Sequence, residues 1–456
     1  MSTPRREDLD AWDRHHVWHA FTQMATYEPL IFERAHGCYL VDIDGREYLD
    51  GVSSLWCNVH GHRHPKLDAA LRDQLQRIAH CTSLGASNPT TIRLARRLAK
   101  IAPDGLEHVF FSDDGATAVE VALKMAFQYW QQRADPRPEK TCFVALANAY
   151  HGDTLGSVSV GGVTRFRDMF GPLLFDVLRL PIPDATRLPA GVETDRAAEF
   201  FLSDVESLLA RDHRRIAAFV VEPLLQAAAG MIPHPDGYLA GLRRLTRRFD
   251  VLLIADEVAV GMGRTGTMFA CQQEDVVPDF LCLAKGLTGG YLPLAATMTT
   301  TDVFSAFLGD EPAQRTFFHG HTYGGNPLGA AVALATLDVF DDEQTLIRLK
   351  PKIARLAWHL DHLAQHPHVR NVRQRGMIGA IELVQEKDSD TPYPWQEHVG
   401  ADVCRYARQR GVWLRPLGDV IVVMPPLAIE EHQIDQLMEA VSYGIDRATR
   451  PCEETT

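Results

Sequence analysis

Short apolar runs alternate with amphipathic stretches through the middle of this chain. Residues 108–111, 142–146, 216–221, 251–255, 280–283 and 294–297 are apolar runs of strand length. Between them, stretches such as 118–131 and 238–248 carry apolar residues at helical spacing. Strand and helix in alternation predict an α/β fold, with a mostly parallel central sheet and helices on both faces. Ligands of such sheets bind beyond the carboxyl ends of the strands. The residues that follow the runs are therefore the first candidates for chemistry. They are Asp114-Gly115-Ala116, Tyr150-His151-Gly152, Glu222-Pro223, Asp256-Glu257 and Lys285.

The two ends read differently. Residues 30–51 suit a short antiparallel β unit, with 39–42 and 47–50 flanking a turn at 43–46. After Tyr323-Gly324-Gly325-Asn326-Pro327 a helix is expected over 328–340, and then helices alternate with strands such as 379–383 and 420–423. Residues 1–64 and 341–456 are assigned to a smaller α+β domain built from both chain ends, and 65–340 to the large domain. Residues 183–204 are expected to be a surface excursion.

At 456 residues and 46% hydrophobic, the chain can bury a large core. Its formal net charge of -13 argues against nucleic acid or an anionic membrane as partner. Residues 1–8 lead into no apolar signal core, and no run reaches the length of a membrane span. The cysteines (Cys38, Cys57, Cys81, Cys142, Cys271, Cys282, Cys404, Cys452) are scattered without CxxC pairing, as in reduced cytoplasmic proteins. His60, His62 and His64 would share one face of a strand. Gly61 and Pro65 instead mark a turn, so no metal site is assigned there.

Lys285 changes the picture most. It ends one apolar run, and Asp256 ends another. A lysine approached through a buried strand is costly without a partner. This pair suits pyridoxal phosphate: the amine holds it as a Schiff base, and the carboxylate keeps the ring nitrogen protonated, so that the ring acts as an electron sink. Gly115-Ala116-Thr117, between a strand and a helix, suits a phosphate bound by backbone N–H groups, although an ordinary helix N-cap has the same signature. Tyr150 is placed to stack on a ring, or simply to form a turn. Arg415 can fork onto a carboxylate, although a surface ion pair is the commoner fate of an arginine. Gly261-Met262-Gly263-Arg264-Thr265-Gly266 lacks the spacing of a dinucleotide fingerprint.

Taken together, these segments resemble the class III, fold-type I pyridoxal-phosphate aminotransferases over nearly the whole chain. The most specific stretch is 252–296, LLIADEVAVGMGRTGTMFACQQEDVVPDFLCLAKGLTGGYLPLAA. The resemblance implies that Lys285 binds the cofactor covalently and Asp256 pairs with its ring nitrogen. It implies that Gly115 and Ala116 bind phosphate, Tyr150 stacks on the ring, and Glu222 and Gln226 lie near it. Thr322 would reach the phosphate in a neighbouring subunit, which implies a homodimer with shared active sites. Trp56, Tyr150, Phe21 and Gly320 would border the substrate, and Arg415 would bind its carboxylate.

Trp18-His19-Ala20-Phe21-Thr22 and Arg415-Pro416-Leu417-Gly418 are similar to the members that aminate 8-amino-7-oxononanoate in biotin synthesis. Their amino donor is S-adenosylmethionine or, in some, lysine. Phe21 stands where many members have Tyr, and His321 where many have Pro; both positions bear on the donor. Asp114 replaces the usual Ser, Thr or Asn. A carboxylate would repel phosphate, so Asp114 is expected to turn away and cap the helix at Thr117. The rival readings are an ω-amino acid or diamine:pyruvate aminotransferase, an aminomutase, and a non-catalytic sensor.

Overall fold

The computed structural model of the chain describes residues 5–450, so Cys452 and residues 1–4 lie outside it. A seven-stranded sheet forms the centre. Its strands are β4 (Leu106–Ser112), β5 (Cys142–Leu146), β6 (Val177–Leu180), β7 (Ile216–Val221), β8 (Leu252–Asp256), β9 (Phe280–Leu283) and β10 (Ala295–Thr300). Their order across the sheet is β4-β10-β9-β8-β7-β5-β6. Only β10 runs antiparallel to its neighbours, β9 and β4. The other pairings are parallel.

Successive strand residues serve opposite faces of this sheet. Phe219, Val221, Leu253, Ala255, Leu281 and Leu283 enter one core. Ala218, Val220, Leu252, Ile254, Phe280 and Cys282 enter the other, against the helix Gly115–Gln132. That double burial is why these strands read as unbroken apolar runs.

Two smaller sheets flank the centre. The first is β1 (Phe32–His36), β2 (Tyr39–Asp42) and β3 (Glu47–Asp50), closed by β13 (Val412–Trp413). β13 pairs parallel with β3, so the two chain ends share one sheet. The second is antiparallel, in the order β11 (Val369–Arg375), β12 (Ile378–Leu383), β15 (Val420–Val423) and β14 (Pro416–Leu417). A two-stranded ribbon, Leu225–Gln226 with Ile232–Pro233, completes the β structure among the described residues.

Three features depart from the expectations. β6 is an additional edge strand, only partly buried, with Arg179 interrupting its apolar pattern. The expected excursion at 183–204 is irregular only in its first part, because a helix begins at Ala197 and runs to Asp212. β11 joins the C-terminal sheet although its VRNVRQR sequence is half polar. The three histidines diverge: His60 bonds the Thr336 carbonyl, His62 the Asp50 carboxylate and His64 the Glu343 carboxylate.

One cation ties the segment after β8 to residues from both ends of the chain. Arg264 is 1% exposed and donates to the carbonyls of Asn58 and Pro425, each at 2.6 Å. Replacing it by Met would leave two carbonyls without their donor in a dry setting. Arg264→Met is expected to cost about 3 kcal/mol, read as a lower urea midpoint at unchanged slope. An unchanged midpoint would deny Arg264 this tying role.

Candidate active site

The carboxyl ends of β4, β5, β7, β8 and β9 converge on one cavity of about 710 Å³. β8 delivers Asp256, and the adjacent parallel strand β9 is followed by Lys285. β7, on the other side of β8, delivers Glu222. The turn after β5 supplies Tyr150, His151 and Gly152, and the helix after β4 supplies Gly115 and Ala116. Because β10 runs backwards, its entry at Pro293-Leu294 lies at the same rim. Trp56, from the turn after β3, also lines the cavity.

Lys285 has φ +44°, an uncommon backbone for a non-glycine residue. Its ammonium lies 4.8 Å from the centre of the Trp56 ring. Burial pushes its pKa down from the ordinary lysine value, against the pull of Asp256 and Glu222. Asp256 is 4% exposed. One of its oxygens accepts from the Val258 N–H at 3.1 Å, and the other lies 2.8 Å from His151 Nδ1. Glu222 accepts from the N–H groups of Tyr150 (3.1 Å) and Ala227 (2.9 Å). Burial pushes its carboxyl up to about 7; His151 opposes that shift and Asp256 adds to it.

The helix at Gly115 starts as its sequence requires. Asp114 accepts from the Thr117 N–H at 2.9 Å, and the Thr117 hydroxyl returns to the cap, so Asp114 does turn to the helix as expected. Gly115 and Ala116 are the first helical residues, whose N–H groups have no partner one turn back. Gly152 packs on them at φ +125°, where an added Cβ would meet the Ala116 Cβ at 2.3 Å. An open pair of N–H groups at an 18-residue helix, a buried amine and a held carboxylate fit a ligand bearing a phosphate, an aldehyde and a basic ring nitrogen.

Trp56 is carried by a strained turn. Ser53, Ser54 and Trp56 all have positive φ. Asp50, fully buried, holds that turn by accepting from the N–H groups of Val52 and Ser54. Strain of this kind persists where the surroundings over-determine it.

Five expected site residues are not in the cavity wall. Phe21 is 56% exposed, and Arg415 lies beside it, its guanidinium 5.8 Å from the ring centre. Phe166 connects this pair to the cavity, 5.4 Å from Phe21 and 5.9 Å from Tyr150, ring centre to ring centre. Gly320 and Thr322 lie on an exposed segment. It is tethered at the rim by His321 Nδ1, 2.7 Å from Asp113 Oδ2. Gln226 is buried and donates to the Ala147 carbonyl.

His151 was a strand-end candidate without an assigned role, and Asp153 was not named as a site residue. Asp153 accepts from the Tyr150 hydroxyl at 2.7 Å. Both flank Tyr150 at a strand end, which was the available signal.

The sequence matches the family described as Aminotransferase class-III over residues 21–445. The chain belongs to the class-III aminotransferases. As a member it is a pyridoxal-phosphate-dependent enzyme, with small-molecule amino donor and acceptor as its partners. It is similar to the adenosylmethionine-8-amino-7-oxononanoate aminotransferase of Nitratidesulfovibrio vulgaris, with 53% identity over 98% of this chain and 82% of the relative. The enzyme of the same name from Geobacter sulfurreducens is 49% identical, over 97% and 98% of the two chains. Among solved structures, the enzyme of that name from Methanocaldococcus jannaschii superposes with a TM-score of 0.92 at 41% identity, over 98% of this chain and 100% of the other. An (S)-enantioselective omega-transaminase from Thermomicrobium roseum reaches 0.94 at 34% identity, with the same coverage. No helix among the described residues of this aminotransferase is long and apolar enough to cross a membrane. Its seven described cysteines are all free.

Glu222 gives the cofactor-free enzyme a pH signature. Its folded pKa of about 7 lies above the ordinary 4.5, so the folded state holds the proton more tightly. The stabilisation is complete below about pH 4.5 and is lost as pH rises through about 7. The stability difference between wild type and Glu222→Gln should therefore fall across that window, by up to ~1.4 kcal/mol per pH unit. Urea melts of both proteins at several pH values measure it. A pH-independent difference would remove Glu222 from the titration.

Proposed function

We propose that this aminotransferase converts 8-amino-7-oxononanoate to 7,8-diaminononanoate in biotin synthesis, with S-adenosylmethionine or lysine as amino donor. The observation that carries this reading is the near-full-length likeness, at 53% and 49% identity, to enzymes named for that acceptor. The omega-transaminase likeness, at 34%, supports the second reading, an ω-amino acid or diamine:pyruvate aminotransferase, at the level of the family.

Pyridoxal phosphate supplies the electron sink that makes removal of a proton next to the amine feasible. The chain's own residues do the rest. Lys285 would hold the cofactor, and its amine would carry a proton to and from the donor carbon. Burial favours its neutral amine, the form that can accept that proton. Asp256 keeps the ring nitrogen protonated. The N–H groups of Gly115 and Ala116 hold the phosphate, Tyr150 covers the ring, Glu222 backs the Tyr150 turn, and Trp56 excludes water. Thr322 of one subunit serves the phosphate site of the other in a cytoplasmic homodimer. Residues 1–64 and 341–456 act as the small domain that brings Trp56 and Arg415 to the large domain, 65–340. Phe21 and Gly320 border the donor, and the apolar path through Phe166 and Phe21 suits an aliphatic chain that ends in a carboxylate at Arg415.

The test is a single-turnover experiment on cofactor-loaded enzyme. Either S-adenosylmethionine or lysine alone should bleach the cofactor absorbance, and 8-amino-7-oxononanoate should restore it. Restoration by pyruvate and not by the oxononanoate would overturn the reading in favour of the second one. Phe21, with no hydroxyl to offer a donor, and His321, tied to Asp113, make lysine the donor to examine first.

Arg415→Ala should raise KM for the oxo acid by about tenfold or more, the value of a charge-assisted contact. KM for the donor should change far less. Steady-state kinetics with each substrate varied in turn decides the matter. Equal rises would give Arg415 a shared or structural task.

A further inference from the structure

His151 has no part in the roles above, yet its side chain is completely buried against the central carboxylate. Its Nδ1 lies 2.8 Å from Asp256 Oδ2, while Oδ1 of the same carboxylate accepts from the Val258 N–H. An ionised carboxylate only accepts, so Nδ1 must carry the proton. Both oxygens are therefore gripped from within the protein, and the carboxylate cannot turn about its own axis without losing a bond. His151 Nε2 is buried with no hydrogen-bond partner among the described residues, so the ring is not held there for a second protein contact. Burial disfavours a histidine cation, but Asp256 and Glu222 together hold the His151 pKa above its ordinary value.

We propose that His151 is a positioning residue: its Nδ1–H fixes the plane of the Asp256 carboxylate, so that Asp256 presents a set edge to the ring nitrogen of pyridoxal phosphate. This rests on the reading of Asp256 as the partner of that nitrogen. Asn at position 151 can place an N–H near the site of Nδ1. Phe keeps the ring volume and Leu an apolar filling, and neither has a donor.

The experiment compares His151→Asn, His151→Phe and His151→Leu with Asp256→Asn as reference. Two readouts besides turnover are taken: the dissociation constant of pyridoxal phosphate by equilibrium dialysis, and the absorption spectrum of the bound cofactor. The expected result is about tenfold weaker binding and a shifted spectrum in the Phe and Leu variants, with Asn within about threefold of wild type. Either of the two apolar variants suffices if the other does not fold. Wild-type binding and spectrum in a folded Phe or Leu variant, with Asp256→Asn impaired, would overturn the role of His151 and leave Asp256 in place. An unimpaired Asp256→Asn would remove the reading of Asp256 itself. Equal weakening in the Asn, Phe and Leu variants would also overturn the proposal, because packing rather than the N–H would be at work.

Discussion

Three carboxyl groups are gathered, nearly dry, at the carboxyl edge of the central sheet, and the site is arranged around the need to keep them there. Asp256, Glu257 and Glu222 are each 4% exposed or less. Unpartnered, such groups would be prohibitively costly to bury. Each is handled differently. Asp256 is bound by a histidine and a backbone N–H. Glu257 accepts from the N–H groups of Ala270 and Cys271, and burial pushes its carboxyl up to about 7. Glu222 is likewise held by two N–H groups and pushed toward its neutral form. Two adjacent strand ends, those of β7 and β8, thus carry both a carboxylate with a cation-competent partner and two carboxyls that burial drives toward protonation.

The amine opposite them is displaced the other way. Burial lowers the Lys285 pKa, and the flanking carboxyls restrain the shift. The same dry environment therefore separates acid and base tendencies without any residue moving. Residues from the two chain ends contribute by sealing. Asp50 holds the turn in which Ser53, Ser54 and Trp56 take positive φ, and the Ser53 hydroxyl donates to the Met424 carbonyl at 2.6 Å. Trp56 is thereby set over Lys285 by contacts from both chain ends.

Much of this was legible in the residues alone. β5, β7, β9 and β15 coincide with apolar runs, because strands buried on both faces leave no room for polar residues. Lys285 and Asp256 stood out because each is a charge at the end of such a run. β6 did not, since an edge strand tolerates an Arg179 in mid-run. The helix from Ala197 was hidden because the sequence before it carries proline and polar residues that read on into its first turn. The His151–Asp256 bond joins residues 105 apart in sequence, on strands separated by β7, and no local pattern encodes it. Nor does any pattern reveal that Phe166 bridges Tyr150 to Phe21.

The parallel pairing of β3 with β13 also has a cost in time. Leu49 lies opposite Val412, so an early strand of the chain finds its last neighbour only after most of the sequence has been made. At about 5–20 residues per second, a ribosome needs roughly 20–70 s to cover that interval. Throughout it, the edge of β3 is an open row of peptide groups able to pair with another nascent chain. In refolding from denaturant, the same closure joins segments at opposite ends of the chain, which makes this sheet the late and concentration-sensitive part of assembly.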